Sequence, residues 1–219
     1  MQGLAVFFGS DEEILSDVQS VCSTRTFSRG ALVIGEGDES DWVGVILEGK
    51  ARALRYSPGG EEVIVSTFGP GSLFGEMVAL LGGLRTADIY ALEELKLACI
   101  PGPAFVGLLR KHADLGIELC RLLAARIART THKLFDEVTL TSKHKVFAWL
   151  VHEAEETSTN SEPMIETMPT VSDLARNLNL ARETVSRTLS SLKDQGIVFT
   201  KGRGLVLQDR HALIRLLEQ

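Results

Sequence analysis

Residues Arg182–Arg187 read RETVSR, and they begin a segment with the periodicity of a helix. Across Arg182–Gln195 the apolar residues Val185, Leu189 and Leu192 recur at three- and four-residue spacing. This spacing puts them on one face of a helix, and the remaining positions are mostly polar. The pattern predicts an amphipathic helix that packs through its apolar face and presents a polar face outward.

A shorter helix is predicted just before it. Thr170 and Asp173 are three residues apart and form a capping pair, which starts a helix through Leu178. Residues 179–181 (Asn-Leu-Ala) then make a tight turn into the next helix. Two helices joined by so short a turn predict a helix-turn-helix, in which the second helix enters the major groove of DNA.

A hairpin is predicted after the second helix. Ile197–Phe199 and Leu205–Leu207 are short apolar segments on either side of Lys201-Gly202-Arg203-Gly204, which is typical of a tight β-hairpin with a basic tip. Asp209 is expected to cap a last helix that ends at Leu217.

The charge distribution agrees with a DNA-binding segment. The whole chain has a net charge of −6, but between Arg176 and Arg203 there are six basic residues and two acidic ones. A local basic surplus attracts DNA phosphates, while the acidic remainder disfavours indiscriminate binding.

Three charged residues are predicted to read bases: Arg182, Glu183 and Arg187. Arginine can donate to both O6 and N7 of guanine and a carboxylate can accept from cytosine N4, each pair discriminating by about 1 to 3 kcal/mol. The alternative is a surface ion pair between Glu183 and Arg187, which are four residues apart. The side chains assigned to DNA phosphates are Thr184, Ser186, Thr188, Lys201 and Arg203.

The amino-terminal half has a different pattern. From Phe27 to Ile100, short apolar segments alternate with Gly- and Pro-containing turns, which predicts an antiparallel barrel or sandwich. The expected strands are 31–34, 42–47, 51–56 and 63–68. After Pro101 the periodicity becomes helical, first over 104–110 and then over 113–139.

The long helix over 113–139 has a heptad repeat that predicts self-association. Seven residues occupy a and d positions: Ile117, Cys120, Ala124, Ile127, Thr131, Leu134 and Val138. The alternative is that this stripe packs on the barrel of its own chain. Thr131 at an a position needs a hydrogen-bonding partner, because an unpaired buried hydroxyl is costly.

Several classes of protein are disfavoured. There is no run of about eighteen apolar residues and no signal-peptide pattern, so we expect a cytoplasmic protein without a membrane span. Cys22, Cys99 and Cys120 are widely spaced and are expected to be buried or inert thiols without a metal. No set of nucleophile, base and orienting group stands out, so no catalytic residue is assigned.

The chain resembles the Crp/Fnr family of transcription regulators over nearly its entire length. The resemblance rests on RETVSR, on the long dimerising helix, and on the segment from Phe74-Gly75-Glu76 through Arg85-Thr86-Ala87, which is similar to the phosphate-binding cassette of cyclic-nucleotide-binding domains. It implies an α+β protein with an antiparallel β-barrel of jelly-roll type over 1–112, a dimerisation helix over 113–139 and a winged helix-turn-helix over 140–219.

The resemblance also implies a ligand and its site. Cyclic AMP is the expected allosteric ligand, and no other cofactor is expected. Its phosphodiester would be held by Arg85, Thr86 and the turn beginning at Gly75, and Glu76 would accept from the ribose 2′-hydroxyl. Base contacts are assigned by the resemblance to Arg126, Thr130 and Thr131, with the two threonines coming from different subunits. The alternatives are a structural Glu76–Arg85 salt bridge and threonine hydroxyls that donate to their own helix.

The implied partners follow from the same resemblance. They are double-stranded DNA with palindromic promoter sites and TGTGA-like half-sites, a second copy of the chain, and RNA polymerase, contacted through the loop Ser158–Pro163. Two other functions stay open at this point. One is the same DNA-binding dimer with a different effector or none, and the other is a regulatory subunit of a signalling enzyme.

Overall fold

The structure is a computed structural model that describes residues 2–157 and 164–217. Its contacts divide the chain into two compact units, Met1–Ala125 and Arg126–Gln219. The division falls inside one continuous helix, Ala113–Thr139, which has the bounds that the sequence predicts.

The first unit is built on two antiparallel four-stranded sheets. Its helices are α1 (Gln2–Phe8), α2 (Glu12–Val21), α3 (Glu76–Leu81), α4 (Gly102–Lys111) and the beginning of α5 (Ala113–Thr139). Its strands are β1 (Ser23–Phe27), β2 (Leu32–Ile34), β3 (Trp42–Glu48), β4 (Ala51–Tyr56), β5 (Glu62–Phe68), β6 (Leu73–Phe74), β7 (Asp88–Ala91) and β8 (Leu95–Pro101). The sheets have the orders β1-β8-β3-β6 and β2-β7-β4-β5, which confirms the expected antiparallel jelly-roll type of fold.

Strands β3 and β8 are apolar along most of their length because both of their faces are buried. On one face Ile46 and Leu97 join the core between the two sheets. On the other face Val43, Val45 and Ile100 pack with residues of the helices. Burial on both faces explains why these strands read as nearly continuous apolar runs and not as strict alternation.

Two helices at the start of the chain were not predicted. Leu4, Phe7 and Phe8 of α1 are buried in the core that the helices share with β3 and β8. Helix α2 is capped by Asp11, whose carboxylate accepts from the amide nitrogen of Glu13 at 2.9 Å. Asp11 is therefore a helix-start signal in the sequence, although no helix was predicted here.

The second unit contains the predicted helix-turn-helix. Its elements after α5 are α6 (Ser142–Thr157), β9 (Met164–Ile165), α7 (Val171–Asn177), α8 (Arg182–Asp194), β10 (Val198–Lys201), β11 (Gly204–Leu207) and α9 (Arg210–Leu217). The Thr170 hydroxyl accepts from the Asp173 amide at 3.1 Å, so the predicted cap is present. Asn179 in the turn has a φ of 52°, a conformation that asparagine tolerates better than most residues.

The hairpin is part of a three-stranded sheet with the order β10-β11-β9. The predicted cap of the last helix is also present, since the Asp209 carboxylate accepts from the Ala212 amide at 2.7 Å. Strand β9, only two residues long, was not predicted. Its Ile165 pairs with Leu205 and is buried in the core of this unit, so β9 completes the sheet behind the hairpin.

None of the helices in the described ranges is sufficiently long and apolar to span a membrane.

Candidate nucleotide and DNA sites

The structure brings three of the predicted cassette residues together: Gly75, Glu76 and Arg85. Gly75 precedes α3 with a φ of 81°, and a Cβ there would lie 2.6 Å from Nη1 of Arg85. Only glycine fits both this backbone conformation and this close approach. The side chains of Glu76 and Arg85 are 3% and 4% exposed, whereas Thr86 is exposed. The cassette therefore contains two buried charged residues side by side in one cradle.

The guanidinium of Arg85 is held by three protein acceptors. Its Nε donates to Ser40 Oγ at 3.1 Å, its Nη1 to the carbonyl of Gly75 at 3.0 Å and its Nη2 to the carbonyl of Trp42 at 2.6 Å. An arginine side chain has five N–H groups, so these bonds leave two for another acceptor. The protein alone therefore fixes the orientation of the Arg85 guanidinium.

Burial and charge act in opposite directions on Arg85. Burial lowers the pKa of its guanidinium, and the carboxylates of Asp41, Asp38 and Glu76 raise it, in that order of size. Arginine stays protonated at any physiological pH. The carboxylates of Asp41, Asp38 and Glu76 therefore all offset part of the positive charge of Arg85.

Sequence reasoning missed the supports of Arg85. Ser40 and Trp42 lie 45 and 43 residues from it along the chain. The Trp42 ring also has the guanidinium groups of Arg25 and Arg85 each 5.3 Å from its centroid, within the range of a cation–π contact. No local pattern could have linked these residues, because they are far apart in the sequence and only the folded chain brings them together.

The predicted base contacts lie on α5, within the second unit. Thr130 and Thr131 are exposed. The Thr130 hydroxyl donates to the carbonyl of Arg126 at 2.9 Å, as the alternative interpretation expected for a helical threonine. Thr131 has no hydrogen-bonding partner among residues 2–157 and 164–217. In a dimer that buries Thr131 at its a position, the hydroxyl would therefore need a hydrogen-bonding partner from outside the single chain.

The heptad stripe of α5 is exposed in the single chain. Ile117, Ile127, Leu134 and Val138 are 52%, 67%, 65% and 78% exposed. Exposed large apolar residues at heptad spacing mark a surface that another helix covers. Cys120, which lies in the same stripe, is a free thiol and is also exposed in the single chain.

Helix α8 has the two faces that its sequence predicts. Val185, Leu189 and Leu192 are buried in the core of the second unit. The outer face carries the predicted base-reading residues Arg182, Glu183 and Arg187, all of them exposed.

Within the described part of the chain, Glu183 and Arg187 form neither the alternative ion pair nor a hydrogen bond with each other. Among the residues assigned to phosphates, Ser186 is exposed and Thr184 is half-buried. Thr188, which the sequence also assigned to a phosphate, does not lie on the surface. It is 4% exposed and its hydroxyl donates to the carbonyl of Thr184 at 2.7 Å, so it belongs to the interior of the domain.

The hairpin presents the remaining predicted cations. Lys201 and Arg203 are exposed on either side of Gly202, whose φ is 62°. The carbonyl of Arg203 accepts from the Met168 amide at 3.0 Å, which ties the hairpin to the segment before α7. The tip is therefore a fixed pair of cations on the same domain as α8.

One group outside these sites has metal-ligand chemistry. Glu13, Asp17 and His112 have ligand atoms within 4.8 Å of one another. The ammonium of Lys111, however, lies 2.6 Å from Asp17 Oδ2 and 3.4 Å from Glu13 Oε1. His112 Nε2 is also 2.6 Å from Asp17 Oδ2. Because an ammonium already neutralises the carboxylates, this group is an ion-pair clasp between α2 and the end of α4.

Comparison with known families agrees with both halves of the chain. Residues 24–112 match the model of the cyclic nucleotide-binding domain, and residues 144–216 match the model of the Crp-like helix-turn-helix domain. Together with the fold, these matches define a DNA-binding transcription regulator with a cyclic nucleotide-binding domain. The chain belongs to the Crp/Fnr family, whose members are transcription regulators and not enzymes.

Similar proteins match over most of their length. The cyclic AMP receptor protein of Thermus thermophilus is 28% identical over 202 residues, which cover 90% of this chain and 89% of that protein. The CRP-like cAMP-activated global transcriptional regulator of Mycobacterium tuberculosis is 24% identical over 212 residues, covering 96% and 95%. The solved structure of the c-di-GMP responsive global regulator CLP of Xanthomonas campestris has a TM-score of 0.72 at 19% identity, covering 91% and 100%, and shows the shared fold.

Proposed function

We propose that this chain is a homodimeric transcription regulator whose binding to palindromic promoter DNA is controlled by a cyclic nucleotide, with cAMP as the first candidate. The observation that carries the proposal is the cradle in which Glu76 and Arg85 are buried beside Gly75. Buried charges cost free energy, and a cradle that holds two of them beside a glycine is typical of a functional site. Two cAMP-responsive relatives support the choice of nucleotide.

The cradle fits the chemistry of a cyclic nucleotide. The phosphodiester carries one negative charge, and the two remaining N–H groups of Arg85 can donate to it without disturbing the three existing hydrogen bonds. Glu76 can accept a hydrogen bond from the ribose hydroxyl. The base contacts of Arg126, Thr130 and Thr131 belong to the same proposal and rest on the family resemblance.

A second candidate is the same DNA-binding dimer with another effector or none. The observation that favours it is that three of the five N–H groups of Arg85 already donate to protein acceptors. Arg85 can therefore have a purely structural role, in which it links Ser40, Gly75 and Trp42. The regulator CLP, which shares this fold, is described as responsive to c-di-GMP, and this supports a different ligand as an alternative.

Calorimetric titration of the full-length protein with cAMP and with cGMP separates the two candidates. The first predicts saturable binding of one nucleotide, weakened by Arg85→Lys because a single ammonium cannot replace the oriented guanidinium. The matched control is Arg55→Lys, at an exposed arginine of the same unit that pairs with Glu36 at 2.8 Å. No heat with either nucleotide would remove the cyclic-nucleotide part of the proposal and leave the DNA-binding part standing.

DNA recognition follows from α8 and the hairpin. In a dimer, two copies of α8 would read half-sites about one helical turn, roughly 34 Å, apart. We propose Arg182, Glu183 and Arg187 as base-reading residues and Thr184, Ser186, Lys201 and Arg203 as phosphate contacts. A ligand that binds one state of the dimer more tightly shifts the population toward that state, and each 1.4 kcal/mol of preference changes the ratio about tenfold.

The remaining partners are proposed from the family alone. RNA polymerase is the expected protein partner, but the loop Ser158–Pro163 assigned to that contact lies outside the described residues. A cytoplasmic location and the domain division 1–112, 113–139 and 140–219 belong to the same proposal.

A further inference from the structure

The DNA-binding unit contains a groove for which the proposed function provides no ligand. It has a volume of about 610 Å³ and lies between α6 and α8, with Leu216 of α9 closing one side. This volume is in the range of small-molecule sites, which run from about 300 to 1,000 Å³.

The floor of the groove is apolar. Phe147 and Leu192 line it together with Leu216. Phe147 and Leu192 are 8% and 1% exposed, so they belong to the packed core of the domain and form a fixed floor. One wall is held in place by the side-chain amide of Gln195, which donates to Ser191 Oγ at 2.9 Å. An apolar body of a ligand would therefore meet a formed surface.

The rim of the groove is basic. Lys143, His144 and Arg187 line it, and its lining includes no aspartate or glutamate. Lys143 and Arg187 are exposed and have no ion-pair partner in the ranges 2–157 and 164–217. The ring of His144 lies 5.9 Å from that of Phe147, which joins the rim to the floor. Two uncompensated cations above an apolar floor are complementary to one anionic group attached to an apolar body.

We propose that this groove binds a small amphipathic carboxylate, such as a fatty acid, with its carboxylate at Lys143 and Arg187 and its chain on Phe147 and Leu216. Arg187 is also a proposed base-reading residue, so occupation of the groove would compete with DNA. This consequence rests on the proposed DNA-binding function, whereas the binding site itself does not.

Decanoate is the probe, and the full-length protein without DNA is titrated by calorimetry. We expect saturable binding of decanoate at a stoichiometry of one per chain and none of decyltrimethylammonium, which has the same chain and the opposite charge. Lys143→Ala should weaken binding about tenfold, since a charge-assisted hydrogen bond is lost. Ser191→Trp should block the groove without removing a charge.

The matched control is Lys193→Ala, which removes an exposed cation from α8 at a position outside the groove. Its affinity for decanoate should equal that of the unchanged protein. Absence of saturable decanoate binding overturns the proposal, and so does binding that Lys143→Ala and Ser191→Trp leave unchanged. Equal binding of inorganic phosphate would also overturn it, because the rim would then serve an anion alone, as a DNA backbone does.

A second titration adds decanoate to the protein bound to a labelled palindromic duplex. Release of the duplex supports competition at Arg187. If no duplex binds under any condition while decanoate still does, the proposed DNA-binding function fails and the groove remains a ligand site. If the duplex binds but decanoate does not, the regulator function stands and the groove proposal fails.

Discussion

Gly75 is the residue at which the cassette is most sensitive to a small change. A single added carbon would lie 2.6 Å from Nη1 of Arg85 and 2.9 Å from the carbonyl oxygen of Trp42. Those two atoms are themselves joined through the guanidinium of Arg85, so neither can move alone. The geometry of the cradle thus depends on the absence of a side chain.

Gly75→Ala is expected to lower the free energy of unfolding, measured in urea, by about 1 to 3 kcal/mol more than Gly82→Ala does. Both glycines have positive φ, at 81° and 70°, but a Cβ at Gly82 would meet nothing within 4 Å. Equal losses for the two variants would show that the contact with Arg85 costs nothing. Gly75→Ala should also reduce nucleotide binding, and Gly82→Ala serves there as the control.

Arg85 has a structural role besides its proposed ligand role. Its hydrogen bonds to Ser40 and to the carbonyls of Gly75 and Trp42 would all be lost in Arg85→Leu. A hydrogen bond from a charged group contributes about 1.5 to 3 kcal/mol, so that variant would also destabilise the fold. For this reason Arg85→Lys, which keeps the charge, is the better probe of ligand binding.

At the scale of elements, Asp17 joins α2 to the end of α4. Hydrogen bonds from Lys111 and His112 lower the pKa of the Asp17 carboxyl below its usual value of 3.8. A carboxyl whose folded-state pKa is depressed contributes stability that is present above the unfolded-state pKa and is lost as the pH falls through the folded-state pKa.

Asp17→Asn should therefore lower the melting temperature at neutral pH and flatten its decline below about pH 4. The control is Asp194→Asn, at an exposed carboxylate for which no partner occurs in the described part of the chain. Thermal unfolding followed by circular dichroism from pH 3 to pH 7 measures both. Parallel curves for Asp17→Asn and the unchanged protein would contradict the role of the clasp.

Helix α5 carries the prediction about assembly. Ile127 is 67% exposed at a heptad position, and a charge there would be buried in a dimer seam. Ile127→Glu should convert the dimer to monomer in sedimentation velocity experiments. Arg129→Glu, at an exposed position off the stripe of the same helix, should leave the dimer intact. A monomeric unchanged protein, or a dimeric Ile127→Glu variant, would contradict the assembly through this stripe.

At the scale of the whole molecule, substitutions of base-reading residues and of phosphate-contacting residues should have different effects on DNA binding. Arg187→Ala should reduce the preference for a TGTGA-containing palindrome over a mutated one, by about 1 to 3 kcal/mol per base contact, and Arg182→Ala and Glu183→Ala should also relax preference. Lys201→Ala should weaken binding to all sequences alike and reduce the salt slope by about one. Fluorescence anisotropy with both duplexes over a range of salt measures these effects.

For this DNA prediction the control is again Lys193→Ala, at an exposed residue of α8 that is not assigned to DNA. A loss of affinity in Arg187→Ala that is equal for both duplexes would place Arg187 on phosphate and not on a base. Selection of binding sites from a random pool should return a symmetric motif, since the reader is expected to be a dimer.

Local sequence patterns were sufficient to predict the elements of the DNA-binding unit and the extent of α5. Helix periodicity, the caps at Thr170 and Asp209 and the turn at Asn179 are set by residues within a few positions of each other, so they could be read without the fold. The cassette was located by resemblance. The helices at the start of the chain were missed even though Asp11 signals one of them, and β9 was missed because two residues carry no periodicity.

The surroundings of the functional side chains follow from tertiary packing and could not be predicted from local patterns. The acceptors of Arg85 at Ser40 and Trp42 lie more than forty positions away along the chain, and the burial of Thr188 depends on the packing of its whole domain. The groove at Lys143 and Arg187 likewise exists only because two helices lie side by side. Burial and long-range contacts depend on how the elements pack, which a local pattern does not contain.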